Sequence, residues 1–211
     1  MDETCKGEEE MKLINEWLCL TNVVSDSMCE KLITLGKNKF ELAQIADDGL
    51  RKGKGGVKEE RRKSKVVWIG EQWVYDLISP FMKEANKKSG WDFNITACEA
   101  FQLTKYEKGD FFKWHIDGHS DSLSTYDKPE NKILHNTVRK ISMTVLLNDD
   151  YEGGEFQFGS FNRGEVSVSN PKFSTKGSII FFPSFMHHQV APVTEGIRYS
   201  LVAWFVGPSF K

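Results

Sequence analysis

The chain has 211 residues, enough for one well-buried core and short for two. Hydrophobic residues make up 39%, charged residues 27%, and the formal net charge is −2, which gives no bulk electrostatic reason to expect a nucleic-acid or membrane-surface binder. No apolar run approaches the roughly 20 residues of a membrane span, and Cys5, Cys19, Cys29 and Cys98 lack CxxC spacing, which argues against a zinc ribbon or redox dithiol and fits reduced thiols in a cytoplasmic protein.

The opening "MDETCKGEEE" is acidic and has no apolar segment of the kind found in secretory signals, so residues 1–11 read as a disordered leader. "MKLINEWLCL" reads as a first strand. A helix is expected over "SDSMCEKLITLGKNK", with Ser25 or Asp26 as N-cap and Cys29, Leu32 and Ile33 on its apolar stripe. Residues 47–65, rich in glycine and charge, have no face to bury. They read as a solvated loop, with Arg62 and the nearby lysines as a basic surface, or as a mobile lid over a site. "VVWIGEQWVYDLISPFMKEANKKSG" is a short strand and then a helix, in which Trp73, Leu77, Phe81 and Ala85 recur every four residues and Pro80 kinks or restarts the helix. Trp68, Trp73 and Trp91 are expected in the core.

From residue 94 the texture changes. "ITACEAFQLTKY", "FFKWHID", "RKISMTVLLN", "GEFQFG", "GEVSVS", "GSIIFFP" and "IRYSLVAWFVG" are strand-like segments separated by Gly, Asn, Asp and Pro. The fold class implied is α+β, mainly β: an antiparallel barrel or jelly roll with the N-terminal helices packed outside it. The paired glycines of "YEGGEF" mark a turn between strands. The polar segment 118–136 folds over the substrate or is a solvated insertion, and within it His119 is expected on the surface and His135 is given no role.

The chemistry concentrates in "FFKWHIDGHS". Residues two apart on a strand share a face, so His115 and Asp117 project together into the barrel. A carboxylate there is costly unless paired or bound to a cation, and imidazole plus carboxylate is two-thirds of the facial triad of non-haem Fe(II) oxygenases. The tripeptide alone is common by chance. A distant strand, "FFPSFMHHQVAPVTEGIRYSLVAWF", offers the remaining ligand in His187 or His188, and Arg198 and Ser200 follow at i, i+2 spacing. A guanidinium buried in such an apolar strand needs an anion, and its fork matches a carboxylate.

"YEKGDFFKWHID", "RKISMTVLLNDDYEGGEFQF" and "HQVAPVTEGIRYSLVAW" resemble the signature blocks of the Fe(II)/2-oxoglutarate-dependent oxygenases, and within them the prolyl 4-hydroxylase-like branch that includes bacterial PKHD-type hydroxylases. The resemblance covers residues 94–207 closely and 12–93 more loosely, where "RRKSKVVWIG" still resembles the PKHD-type pattern. It implies a single domain over 1–211 with a double-stranded β-helix (jelly-roll or cupin-like) catalytic core at 94–207. It further implies Fe(II) held by His115, Asp117 and a distal histidine about ten residues before a basic one. His188 stands ten before Arg198, so it is the implied ligand and His187 points elsewhere.

By the same resemblance, Arg198 pairs with the far carboxylate of 2-oxoglutarate, Ser200 completes an RxS clamp, Tyr106 and Trp204 line the co-substrate pocket, and Arg139 matches a position that touches peptide substrate. Where several relatives carry a tyrosine before the "LN" of the "RKISMTVLLN" strand, this chain has Leu146, for which Ser200, Thr144 or Tyr106 compensates. The implied reaction couples oxidative decarboxylation of 2-oxoglutarate by O2, giving succinate and CO2, to hydroxylation of a C–H bond, with ascorbate as an auxiliary reductant. The substrate implied is a prolyl residue in a peptide or protein. The alternatives are a free amino acid or other small molecule, and a non-catalytic metal-binding sensor barrel. Asp117 argues against a halogenase, and the slightly acidic chain argues against a nucleic-acid demethylase.

Overall fold

The computed structural model describes residues 13–44, 59–118, 124–163 and 165–210; the expected leader, most of the 47–65 segment and His119 lie outside them. In chain order, β1 (Leu18–Leu20) leads to α1 (Asp26–Gly36), whose N-cap is Ser25, its hydroxyl accepting from the Met28 amide. β2 (Glu41–Leu42), β3 (Arg62–Lys63) and β4 (Lys65–Ile69) precede α2 (Gln72–Lys88), which runs through Pro80. The remaining elements are all strands: β5 (Ala97–Cys98), β6 (Phe101–Tyr106), β7 (Phe111–His115), β8 (Val138–Leu146), β9 (Tyr151–Gly153) and β10 (Phe156–Asn162). They continue with β11 (Glu165–Ser169), β12 (Ile179–Pro183), β13 (His188–Val190), β14 (Val193–Gly196) and β15 (Arg198–Gly207).

The strands form a major sheet in the order β1-β12-β8-β15-β6-β4-β2, with β5 also on β15, and a minor sheet in the order β11-β10-β13-β7-β3. A third, two-stranded sheet joins β14 to β9. Period-two alternation divides the major sheet's side chains between two cores. Leu103 of β6, Met143 of β8, Phe181 of β12 and Leu201 of β15 face the helices, where they meet Leu32 of α1 and Ile78 of α2. Their neighbours Tyr106, Leu146 and Phe182 face the minor sheet and meet Phe156, Phe158 and Val190. Two antiparallel sheets packed face to face with helices outside the larger one are the expected double-stranded β-helix. Gly36 ends α1 where a Cβ would collide with Leu103, so the missing side chain sets how closely that helix approaches β6.

Four local expectations are corrected. The first strand is only Leu18–Leu20, because Leu13 and Ile14 are exposed and pair with no strand. The buried stripe of α2 is Val74, Ile78, Met82 and Ala85, and Trp73, Leu77 and Phe81 lie half-buried beside it. The apolar surface of this helix is wider than one row, and packing on the sheet selected the neighbouring row as its centre. Trp91 is buried as expected, but Trp68 is 56% exposed, because it points to the sheet's cavity side at the rim while Val67 packs against the helix side. The end of the 47–65 segment is no loop: β3 pairs with β7, β4 pairs with β6, and Arg62 is buried. No helix among the described residues is long and apolar enough to cross a membrane.

Candidate active site

The antiparallel pairing of β7 with β13 sets His115 directly opposite His188. β7 ends at His115, and the next turn is anchored by the Asp117 amide donating to the Ser184 carbonyl at 2.9 Å. Asp117 thereby returns towards both rings: His115 Nε2 lies 3.8 Å from its Oδ1 and His188 Nε2 lies 3.5 Å from its Oδ2. One ligand atom from each residue falls within 4.8 Å of the other two. Each imidazole is turned by its own backbone, since Nδ1 of His115 meets the Lys113 carbonyl at 2.8 Å and Nδ1 of His188 meets that of Met186 at 2.9 Å. With the Nδ1 proton donated to a carbonyl, Nε2 carries the lone pair that faces the cluster.

The surroundings disfavour a charge on His115 and favour one on Asp117. Phe112 stacks on His115 at 3.4 Å between centroids, and Phe182 and Phe156 flank His188 at 4.7 and 5.5 Å. Burial, helped by the neighbouring His188, holds His115 well below the ordinary histidine range. For Asp117, burial alone pushes upward. The two histidines, Arg139 and the Ser142 hydroxyl outweigh it, and the carboxyl stays below its ordinary value. Ser142 Oγ donates to Asp117 Oδ2 at 2.7 Å and is itself 2.9 Å from Ser184 Oγ, so a serine pair orients the carboxylate. Two imidazoles and one carboxylate on adjacent walls form the donor set of a 2-His-1-carboxylate centre, which fits Fe(II) and leaves coordination positions for other ligands.

The cavity beside this cluster is floored by the alternate residues of β6, β8 and β15. Across the sheet, Tyr106 pairs with Arg198, Ser200 lies between Thr104 and Leu146, Val202 lies between Gln102 and Thr144, and Trp204 pairs with Ser142. Arg198 is 1% exposed, yet among the described residues its only side-chain hydrogen bond is from Nη1 to Ser200 Oγ at 3.1 Å. Its Nε has no partner, no carboxylate among the described residues pairs with it, and Trp204 Nε1 is likewise buried without an acceptor. Donors left over in a buried cavity are expensive, so this end is complementary to an anion. Gly154, at φ +65°, makes room for it, because a Cβ there would stand 2.9 Å from Arg198 Cδ.

Every site residue expected from the sequence except Arg139 lines this one cavity: His115, Asp117, His188, Arg198, Ser200, Tyr106, Trp204 and Thr144. Leu146, at the departure from the prolyl hydroxylase pattern, is fully buried in the inner core. Arg139 lies just beyond, its guanidinium 3.9 Å from the Trp204 ring and its Nε and Nη2 donated to Glu99 at 2.6 and 2.8 Å. The Tyr126 hydroxyl also donates to Glu99, at 2.7 Å, which ties part of the 118–136 segment to the same carboxylate. His187 is exposed and packs on Phe161 at 4.6 Å, away from the cluster. Sequence reasoning missed Ser142, Gln102, Phe112 and above all Arg62, assigned there to a solvated surface but lining the cavity at 6% exposure. The available signal was period-two alternation: Arg62 and Ser64 precede Val66 on one face, as Ser142 and Thr144 do within an apolar strand.

A family model described as the 2OG-Fe(II) oxygenase superfamily matches residues 101–206. A PKHD-type hydroxylase of Synechococcus sp. (strain JA-2-3B'a(2-13)) is 36% identical over 192 residues, covering 89% of this chain and 76% of that protein. The match spans 51% of the length of another Synechococcus relative, from strain CC9902. Among solved structures, a Pseudomonas putida prolyl-4-hydroxylase superposes with a TM-score of 0.64 at 16% identity, over 90% of this chain and 92% of that one. A Trichoplax adhaerens prolyl hydroxylase, solved with a hypoxia inducible factor oxygen degradation domain peptide fragment, gives 0.64 at 18% identity, over 90% and 83%. At such identities the likeness to the solved structures is one of fold. The chain belongs to the 2OG-Fe(II) oxygenase superfamily, whose chemistry uses Fe(II) and 2-oxoglutarate.

Proposed function

We propose that this protein hydroxylates a prolyl residue in a peptide or protein, releasing succinate and CO2. His115, Asp117 and His188 would hold Fe(II), and Arg198 with Ser200 would take the far carboxylate of 2-oxoglutarate. The observation that carries this reading is the pairing, in one cavity, of a His-Asp-His cluster with a fully buried guanidinium that no carboxylate of the described residues answers. A purely structural metal site needs no such anion clamp, which weighs against a non-catalytic sensor barrel.

Iron and the keto acid, when bound, supply the oxidising chemistry with O2. The chain's own residues do the rest. The carbonyls of Lys113 and Met186 hold the Nδ1 protons and so keep both Nε2 atoms free as ligands. Ser142 fixes the rotation of the Asp117 carboxylate. Arg198 supplies a parallel pair of donors that accepts a carboxylate in one orientation, and Tyr106 and Trp204 fill the walls beside it. Phe112, Phe156 and Phe182 keep the histidines in an apolar setting.

The prolyl substrate is supported by the relatives described as PKHD-type hydroxylases and by the prolyl hydroxylase fold. The rim is consistent with an extended, partly apolar chain: Trp68 is exposed 6.1 Å from Trp204, and Arg139 stacks on Trp204 while Glu99 holds it. In this reading Arg139 orients Trp204 and Asp117 from behind as much as it meets substrate. Incubation with Fe(II), 2-oxoglutarate and a proline-rich peptide library tests the proposal. The expected result is succinate release coupled to a gain of one oxygen atom on proline, read by mass spectrometry. Turnover with free proline but with no peptide would transfer the activity to a small molecule.

A further inference from the structure

The described residues place a second guanidinium in this cavity, contributed by a segment outside the stretch matched by the family model. Arg62 belongs to β3, whose backbone pairs with β7 of the minor sheet, yet its side chain crosses to β6 of the major sheet. Its Nε donates to Ser64 Oγ and its Nη2 to Gln102 Oε1, both at 2.8 Å. It lines the cavity together with Tyr106. Its carbon Cζ lies 4.6 Å from the centre of the Phe112 ring, which in turn stacks on the metal-cluster residue His115.

These partners are all neutral, and among the described residues no carboxylate forms an ion pair with Arg62. The carboxylate that its charge favours is Asp117, a member of the metal-ligand cluster. Burial accordingly works against the cation, holding Arg62 below its ordinary value. A second arginine, Arg198, lines the same cavity, its Cζ 5.6 Å from the Tyr106 ring. Tying two sheets together would not require a charged group: a neutral amide could bond Ser64 and Gln102 with far less desolvation. A cavity with a divalent metal, one carboxylate and two guanidiniums carries excess positive charge, which favours a dianion over a monoanion.

We propose that Arg62 is a positioning residue for the keto-diacid co-substrate, holding Gln102 at the cavity wall and supplying the second positive charge that sets affinity for a dianion. The inference rests on the reading above and concerns a residue outside its ligand set. The experiment is calorimetric titration, without O2, of 2-oxoglutarate into Fe(II)-loaded wild type, R62Q and R62K, alongside metal titration of each apo-protein and steady-state kinetics. R62Q is expected to weaken 2-oxoglutarate binding on the order of tenfold, with KM for 2-oxoglutarate rising more than kcat falls and metal affinity unchanged. R62K, which keeps the charge and loses the planar fork, is expected to fall between the two. A folded R62Q with wild-type affinity for 2-oxoglutarate would reduce Arg62 to a tie between sheets, whatever its melting temperature. If R62Q does not fold, R62K decides: weakened binding with unchanged metal affinity supports the proposal, and wild-type binding overturns it. A wild-type protein that binds no 2-oxoglutarate would instead sink the parent reading.

Discussion

The two faces of the major sheet are made by the same strands and do opposite work. Towards the helices β6, β8 and β15 present Leu103, Met143, Val145, Leu201 and Ala203, none measurably exposed and none polar. Towards the minor sheet the alternate positions include Gln102, Thr104, Ser142, Thr144, Arg198 and Ser200, buried but polar or charged, beside Tyr106, Leu146 and Trp204. Burial is therefore no guide to role in this molecule. The apolar face lowers the free energy of the folded state by removing side chains from water, whereas the polar face buries groups bonded to one another and leaves Arg198 Nε and Trp204 Nε1 without partners among the described residues. One strand, read at odd and even positions, thus separates stability from function.

That separation can be broken or sharpened by substitution, starting with the polar face. Asp117→Ala should abolish metal binding and reduce succinate formation to background while far-ultraviolet circular dichroism stays native. On the opposite face, Leu201→Ala should cost about 2–5 kcal/mol of unfolding free energy in urea, as large-to-small core changes do. Below its melting temperature it should leave KM for 2-oxoglutarate unaltered, and a large rise in KM would mean that the faces are coupled. Ser142→Ala, again on the polar face, should weaken metal affinity roughly 10–100-fold, the usual effect of losing a partner that orients a ligand. Ser142→Thr, which keeps the hydroxyl, should restore most of it, and metal titration measures both.

The smallest effect belongs outside both faces. Glu107 is bonded by Lys105 at 2.7 Å and Lys65 at 2.8 Å, and those two lysines hold its carboxyl down at about 2. Since the folded value lies below the unfolded one, this cluster stabilises the protein above the ordinary carboxylate range and ceases to as pH falls towards 2. Glu107 is 39% exposed, and solvent screening limits the contribution to about 1 kcal/mol or less. Glu107→Gln should lower the melting temperature slightly at neutral pH and not at all at the acid limit, by calorimetry across pH.

What could be read in advance followed the range of the interaction responsible. Strand alternation, the Ser25 cap and the His115–Asp117 pair are encoded within a few residues and were legible. His188 and Arg198 were legible through the resemblance, and β13 and β15 do bring them to one cavity. Arg62 was not, because its burial depends on pairing with Phe112, fifty positions along the chain, and nothing in "KEERRKSK" announces that partner. Trp68 misled for the converse reason: its ring is large and apolar, but β4 lies near the edge of the sheet and that face of it opens at the rim. The buried row of α2 was missed by one position since the pattern offers two adjacent apolar rows, and only the sheet beneath distinguishes them.

The most direct test of the central claim is an anaerobic crystal structure with Fe(II) and 2-oxoglutarate, with diffraction recorded on both sides of the iron absorption edge. The expected map has one anomalous peak bounded by His115 Nε2, Asp117 and His188 Nε2, and a chelated keto acid whose far carboxylate meets Arg198. An iron peak elsewhere, or a keto acid bound with its far carboxylate away from Arg198, would contradict the account.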